Sequence, residues 1–205
     1  MSFQGLLAVA QPNTPGQTRI PNAAKELIDI QQLNSSNFPV HSLSEELATT
    51  ESVVKGMGER SWVHLACHAA QNASDPHQSG FYLHDGRLTL SKIITHSFRH
   101  ADFAFLSACQ TAKGDDTLSD EAAHLAGAMV TAGYRSVIAT MWSIKDDHAP
   151  LVANEVYSRL VCGPPPDSTR AAHALHHAVK ALRDKLGEST QSSFLSWVPF
   201  IHVGV

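Results

Sequence analysis

The feature that most constrains this chain is an alternation. Short, continuously apolar runs that end in turn or polar residues are separated by stretches with helical periodicity. The runs are Leu6–Ala10, Trp62–Ala66, Phe103–Ser107, Ser136–Met141 and Trp197–Val203, with a shorter piece around Phe38–His41. Continuous hydrophobicity is what a strand covered on both faces needs. Between the runs, Asn22–Leu33 opens on Asn22 as a capping residue and sets Ala23, Leu27, Ile28 and Ile30 near helical spacing. Ser42–Gly56 holds one or two short helices. Ser119–Ala132 starts on Ser119, carries Asp120 and Glu121 in its first turn and stops at Gly133. Asp146–Val161 and Ser168–Leu186 are two further helices, split by a Cys-Gly-Pro-Pro-Pro-Asp loop that no helix continues through. Gly80–Leu90 differs: its Asp85-Gly86 pair between apolar residues signals a hairpin.

A chain that alternates buried strands with helices folds as a mostly parallel sheet with helices on both faces. The predicted fold is therefore α/β and three-layered, with a small β-hairpin excursion. A length of 205 residues at 43% hydrophobic content suits one domain over residues 1–205. The net charge of −4 and the absence of any basic run exclude an electrostatic footprint for nucleic acid. No apolar stretch reaches membrane-spanning length, so no membrane partner is expected. The opening MSFQGLLAVAQP lacks a basic region and a cleavage site, so no signal peptide is read. The three cysteines, Cys67, Cys109 and Cys162, are too few and odd in number for a disulfide framework, which points to a reducing, cytoplasmic setting. A nucleotide-binding reading fails for want of G-x-G-x-x-G or a Walker A loop.

In open α/β sheets, sites form beyond the carboxyl ends of the strands. There the sequence sets His68 after WVHLAC, Cys109 after FAFLSA, and Asp146 and Asp147 after SVIATM. Singly, such a cysteine is a small buried hydrophobe and such a histidine a satisfied structural residue. Together at strand ends they form a candidate pair. A thiol is only slightly ionised at neutral pH, and an adjacent imidazole can take its proton, release a nucleophilic thiolate and later protonate a leaving amine. Alternation turns Cys67 to the opposite face from His68, where it packs. Cys162 lies in the Gly-Pro loop and is incidental, and Asp115 and Asp116 belong to a solvated loop after Cys109. The thirteen histidines raise a metal reading. His64 and His68 share a strand face, with Cys109 and His77 as further ligands, and His84 adds to the local richness. No C-x-x-C pair, no H-E-x-x-H and no compact ligand cluster supports it, so no metal is expected.

The segments VHLACHA, FAFLSACQTAKGDD, LAGAMVTAGYRSVIATMWSIKDD and SFLSWVPFIHVG, in this order, resemble the CHAT domain family of the caspase and separase clan. The resemblance runs from Leu6 to Gly204. It implies a caspase-like fold and a cysteine endopeptidase, with His68 as general base, Cys109 as nucleophile and a polypeptide as substrate. It implies an oxyanion hole formed by the N–H groups of Cys109 and of residue 69, which is Ala69 where the family usually has glycine. Alanine keeps the N–H but tolerates positive φ poorly. The likeness to separase makes Asp146, or its neighbour Asp147, an acidic pocket for an arginine or lysine before the scissile bond; equally, Asp146 caps the following helix. The chemistry requires no cofactor, and no calcium-loop ligand run is present. Family members are often joined to tetratricopeptide repeats, so such a repeat or a sensor domain is an expected partner. The alternative from another class is a catalytically silent caspase-fold interaction module.

Overall fold

The computed structural model describes residues 2–70, 72, 75, 78–110, 121–142, 144–187 and 190–205; at 108–110, 121–124 and 192 it describes the backbone alone. Its strands are β1 (Leu6–Ala10), β2 (Val40–Ser44), β3 (Trp62–Ala70), β4 (Gly80–Leu83), β5 (Gly86–Thr89), β6 (Phe103–Gln110), β7 (Ser136–Thr140) and β8 (Phe200–Gly204). Its α-helices are α1 (Asn22–Gln31), α2 (Thr50–Glu59), α3 (Leu90–Ile94), α4 (Glu121–Thr131), α5 (Ala149–Leu160), α6 (Ala171–Leu186) and α7 (Gln191–Trp197). The main sheet runs β2-β1-β3-β6-β7-β8. Its first five strands are parallel, and β8 returns antiparallel against β7. The β4–β5 hairpin continues antiparallel from the end of β3, pairing Ala69 with Phe81.

Side-chain parity sorts the core into two layers. Leu7, Val9, Val63, Leu65, Cys67, Ala104 and Leu106 face α2, α3, α4 and the hairpin. Leu6, Ala8, Ala10, Trp62, Ala66, Phe103 and Phe105 face α1, α5 and α6. This is the three-layer arrangement that the continuous apolar runs require, since each strand buries both faces.

The expected elements are present, with shifts at their ends. Asn22 is not the N-cap of α1: Pro21 holds that position without a side-chain cap bond, and Asn22 is the first helical residue. Trp197 does not begin a strand. Thr190 caps a short helix by accepting from the Ser193 N–H, and Trp197 ends it, so β8 starts only at Phe200. The stretch around Phe38 is a turn closed by reciprocal Ser35–Phe38 backbone bonds, which delays β2 to Val40. In the hairpin, Leu83 pairs with Gly86, so His84 and Asp85 form the two-residue turn. Gly80 is obligatory there, because a Cβ would lie 2.2 Å from the Leu88 carbonyl oxygen. Ser119, Asp120, Asp115, Asp116 and His77 lie outside the described residues. Among the described residues no helix is long and apolar enough to cross a membrane.

Strand order locates the crevice. The chain leaves β1 over the α1 face to reach β2, whereas it leaves β3 toward the hairpin and α3 on the opposite face. The connections part above the β1/β3 boundary, which is where ligands bind in sheets of this kind.

Candidate active site

The register of the two central strands pairs His68 with Cys109. Adjacent strands run about 4.8 Å apart, so the two backbones are at the separation a side-chain pair needs. Position 109 continues the parity of Phe103, Phe105 and Ser107, and position 68 that of Trp62, His64 and Ala66, so both belong to the α1 side of the sheet. The side chain of Cys109 lies outside the described residues.

His68 is 2% exposed. Its Nε2 lies 2.6 Å from the carbonyl oxygen of Thr18, in the loop between β1 and α1. A carbonyl only accepts, so Nε2 carries the proton and donates it. Nδ1 is then the basic nitrogen. It is buried and has no hydrogen-bond partner among the described residues. The loop that supplies Thr18 is itself tied down: the Gln11 N–H donates to the Ala66 carbonyl and the Ile20 N–H to the Pro12 carbonyl. Thr18 has no signature in the sequence, because its contribution is a backbone carbonyl.

Beneath this pair lies a buried polar group that the motifs did not reveal. Glu26 on α1 is 2% exposed and reaches both central strands. Its Oε1 accepts from Ser107 Oγ on β6 at 2.8 Å. Its Oε2 lies 3.2 Å from His64 Nε2 on β3, an ion-pair distance at an angle that does not make a hydrogen bond. His64 Nδ1 meets the Tyr157 hydroxyl of α5 at 3.3 Å, and its ring stacks on Phe105 at 5.2 Å. Burial, reinforced by the Glu26 charge, pushes the Tyr157 phenol well above its ordinary pKa and keeps it neutral. A signal for Glu26 did exist: it falls on the helical stripe with Ala23, Leu27 and Ile30, which is buried.

Asp146 does not cap the helix that follows; His148 occupies that position. Instead its Oδ2 accepts from both the backbone N–H (3.0 Å) and the Nδ2 (2.9 Å) of Asn22, at the start of α1. Asp147 Oδ1 accepts from the same Nδ2 at 2.8 Å. The acidic pair is thus joined to the loop-and-helix unit that presents Thr18 to His68.

Ala69 lies in regular strand backbone, paired with Gln110 and Phe81. Among the described non-glycine residues only Glu45 has positive φ, so position 69 does not demand glycine. Cys67 is buried in the opposite core layer, and Cys162 is exposed. His64 is committed to Glu26 and Tyr157, and His84 is in the exposed hairpin turn, its N–H donating to the Ala48 carbonyl. Among the described residues no group of three or more histidine, cysteine or acidic side chains is placed to hold a metal ion.

A six-stranded, mostly parallel main sheet between helical layers, with positions 68 and 109 in register on its two central strands, has a caspase-like fold. The sequence matches the CHAT domain model over residues 2–205, and the chain belongs to the CHAT domain family. Two solved structures share the fold. The Arg-specific cysteine proteinase gingipain R superposes with a TM-score of 0.60 at 10% identity, over 98% of this chain and 46% of its own. The complex of the pro- and mature domains of Porphyromonas gingivalis RgpB gives 0.58 at 8% identity, over 98% and 47%. The chain thus spans about half the length of each of these structures. No curated protein matches it.

Proposed function

We propose that the protein is a cysteine endopeptidase that uses Cys109 as nucleophile and His68 as general base and acid. The observation that carries this reading is the tautomer of His68. The Thr18 carbonyl accepts a hydrogen bond from Nε2–H and so keeps the proton on that nitrogen, which leaves the Nδ1 lone pair for a thiol on the register neighbour. In the reaction, the Cys109 proton passes to Nδ1 and the thiolate sulfur bonds to the peptide carbonyl carbon. The carbonyl π pair becomes an oxyanion. As it collapses, the C–N bond breaks and the imidazolium protonates the amine. Water, deprotonated by the same nitrogen, then cleaves the thioester and regenerates the thiol. The oxyanion donors in this scheme are the N–H groups of Cys109 and Ala69.

The preferred substrate carries arginine or lysine before the scissile bond. Asp146 and Asp147 supply the negative charge, and gingipain R, which shares the fold, is described as Arg-specific. Control by an attached tetratricopeptide-repeat or sensor domain belongs to the same proposal.

The test is turnover of fluorogenic peptides ending in Arg, Lys, Asp or Leu by the wild type, Cys109→Ala and His68→Ala. Loss of about a thousandfold or more in either variant supports the pair. Equal turnover by all three sinks it. If nothing is cleaved, an alkylating agent that labels Cys109 no faster than the exposed Cys162 leaves the silent module as the better reading.

A further inference from the structure

The buried Glu26 carboxylate has no part in the reaction above, yet its placement is costly unless it does something. A carboxylate and an imidazole have been brought into an apolar layer lined by Trp62, Phe103, Phe105 and Tyr157. Such groups are retained at a desolvation penalty that an apolar pair of the same volume would not incur. Three further facts fix its position in the molecule. Ser107, which donates to Oε1, lies two residues before Cys109 on β6. His64, which faces Oε2, lies four residues before His68 on β3. Glu26 itself sits one turn after Asn22 on the helix whose leading loop holds Thr18 against His68.

From this geometry we infer that Glu26, acting with His64 and Ser107, is a positioning residue for the Cys109/His68 pair, holding α1 and its leading loop so that the Thr18 carbonyl stays on His68 Nε2. The inference rests on the peptidase reading for its effect on rate, but not for its effect on His68. Without the tether, the start of α1 is still held by the Asn22 bonds to Asp146 and Asp147, but beyond that point the helix rests on this layer by apolar packing. Such packing is tolerant of small slides, whereas a hydrogen bond at 2.6 Å is not. A shift of about 1 Å in the Thr18 carbonyl breaks that bond, and the proton then distributes between the two ring nitrogens. The fraction of His68 with a basic Nδ1 falls, and catalysis falls with it while peptide binding is untouched.

The experiment separates positioning from stability. Replacing both partners by apolar residues of similar volume, in the double variant Glu26→Leu and His64→Phe, is expected to leave the melting temperature unchanged or raised. Its kcat should fall about tenfold or more with KM within about twofold. Ser107→Ala removes only the β6 tether and a single oxygen, so it tests the same idea if the double variant does not fold; its kcat should fall several-fold. Glu26→Gln, whose amide can still accept from Ser107 and donate to a neutral His64, should recover kcat to within about threefold of wild type. Imidazole nitrogen and carbon chemical shifts report the His68 tautomer directly. The wild type should show the Nε2–H form, and the double and Ser107→Ala variants a mixture. A folded double variant, or Ser107→Ala, with wild-type kcat and an unchanged Nε2–H signal overturns the inference. The tautomer readout needs no turnover, so it judges Glu26 even if the Cys109→Ala control shows that the peptidase reading is wrong.

Discussion

His68 has its proton assignment made by a neighbour that side-chain motifs cannot display, and Asp146 has its orientation fixed by a helix start more than a hundred residues away in sequence. The two oxygen-to-Asn22 bonds at Asp146 separate structural from functional roles. Asp146→Asn keeps an oxygen that accepts from the Asn22 N–H but removes the charge. It should leave thermal stability within about 0.5 kcal/mol and erase the preference for Arg and Lys peptides. Asp146→Ala loses both bonds and should cost about 1–2 kcal/mol by thermal or urea unfolding. If Asp146→Asn still prefers Arg to Leu, the acidic pocket lies elsewhere. At this scale the sequence was informative where one side chain carries one property. Strand parity alone separates Cys67, in one core layer, from His68, in the other. It was silent on Thr18, since any residue offers a carbonyl. Glu26 was visible only as a charge interrupting the apolar stripe of α1.

Among elements, β3 carries most of the site. It is paired on both sides over Trp62–Ala66, by β1 and β6, and at its end the hairpin adds a second partner to Ala69. A strand held in this way needs no conformational freedom at position 69. Ala69→Gly should therefore leave activity unimproved and destabilise by about 0.5–1 kcal/mol, the entropic cost of glycine in a strand. A several-fold gain in kcat from that change would show that the alanine obstructs the oxyanion hole. The strands legible in advance were those whose pattern is enforced by two-sided burial: β1, β3, β6 and β7. The misplaced boundaries have local causes. Trp197 reads as strand because it is apolar and adjoins an apolar run, but Thr190 three residues before Ser193 starts a helix that includes it. Asn22 has the side chain of a cap, yet Pro21, with φ preset near the helical value, takes the cap position and frees Asn22 to donate to Asp146 and Asp147.

On the scale of the whole molecule, two histidines whose pKa values the fold lowers, His202 and His148, couple stability to pH. His202 on β8 is hydrogen-bonded to Ser136 Oγ at 2.8 Å, and burial lowers its pKa from the ordinary value. At the start of α5, burial and then the nearby Lys145 lower that of His148. A histidine with a depressed folded-state pKa stays neutral in the fold while the unfolded chain gains a proton. Its contribution is therefore complete above the unfolded pKa of about 6.5 and shrinks as the pH falls toward the lower folded value. The melting temperature should drop between pH 7 and pH 5, and His202→Gln, which retains a partner for Ser136 without the titration, should drop less. An identical pH dependence in that variant would exclude His202 as a source.

The pairing of position 68 with position 109 lies on the two innermost neighbours of a sheet covered on both faces. Amide hydrogens of such strands exchange with solvent only when the whole fold opens, whereas loops and edge strands exchange through local fraying. In deuterium exchange, the amides around Leu65–Cys67 and Leu106–Ser107 should accordingly be among the last to be labelled, at a rate that tracks global unfolding. The histidine and cysteine would then share the fate of the core: a denaturant series should extinguish their neighbourhood at the midpoint of unfolding and not before it.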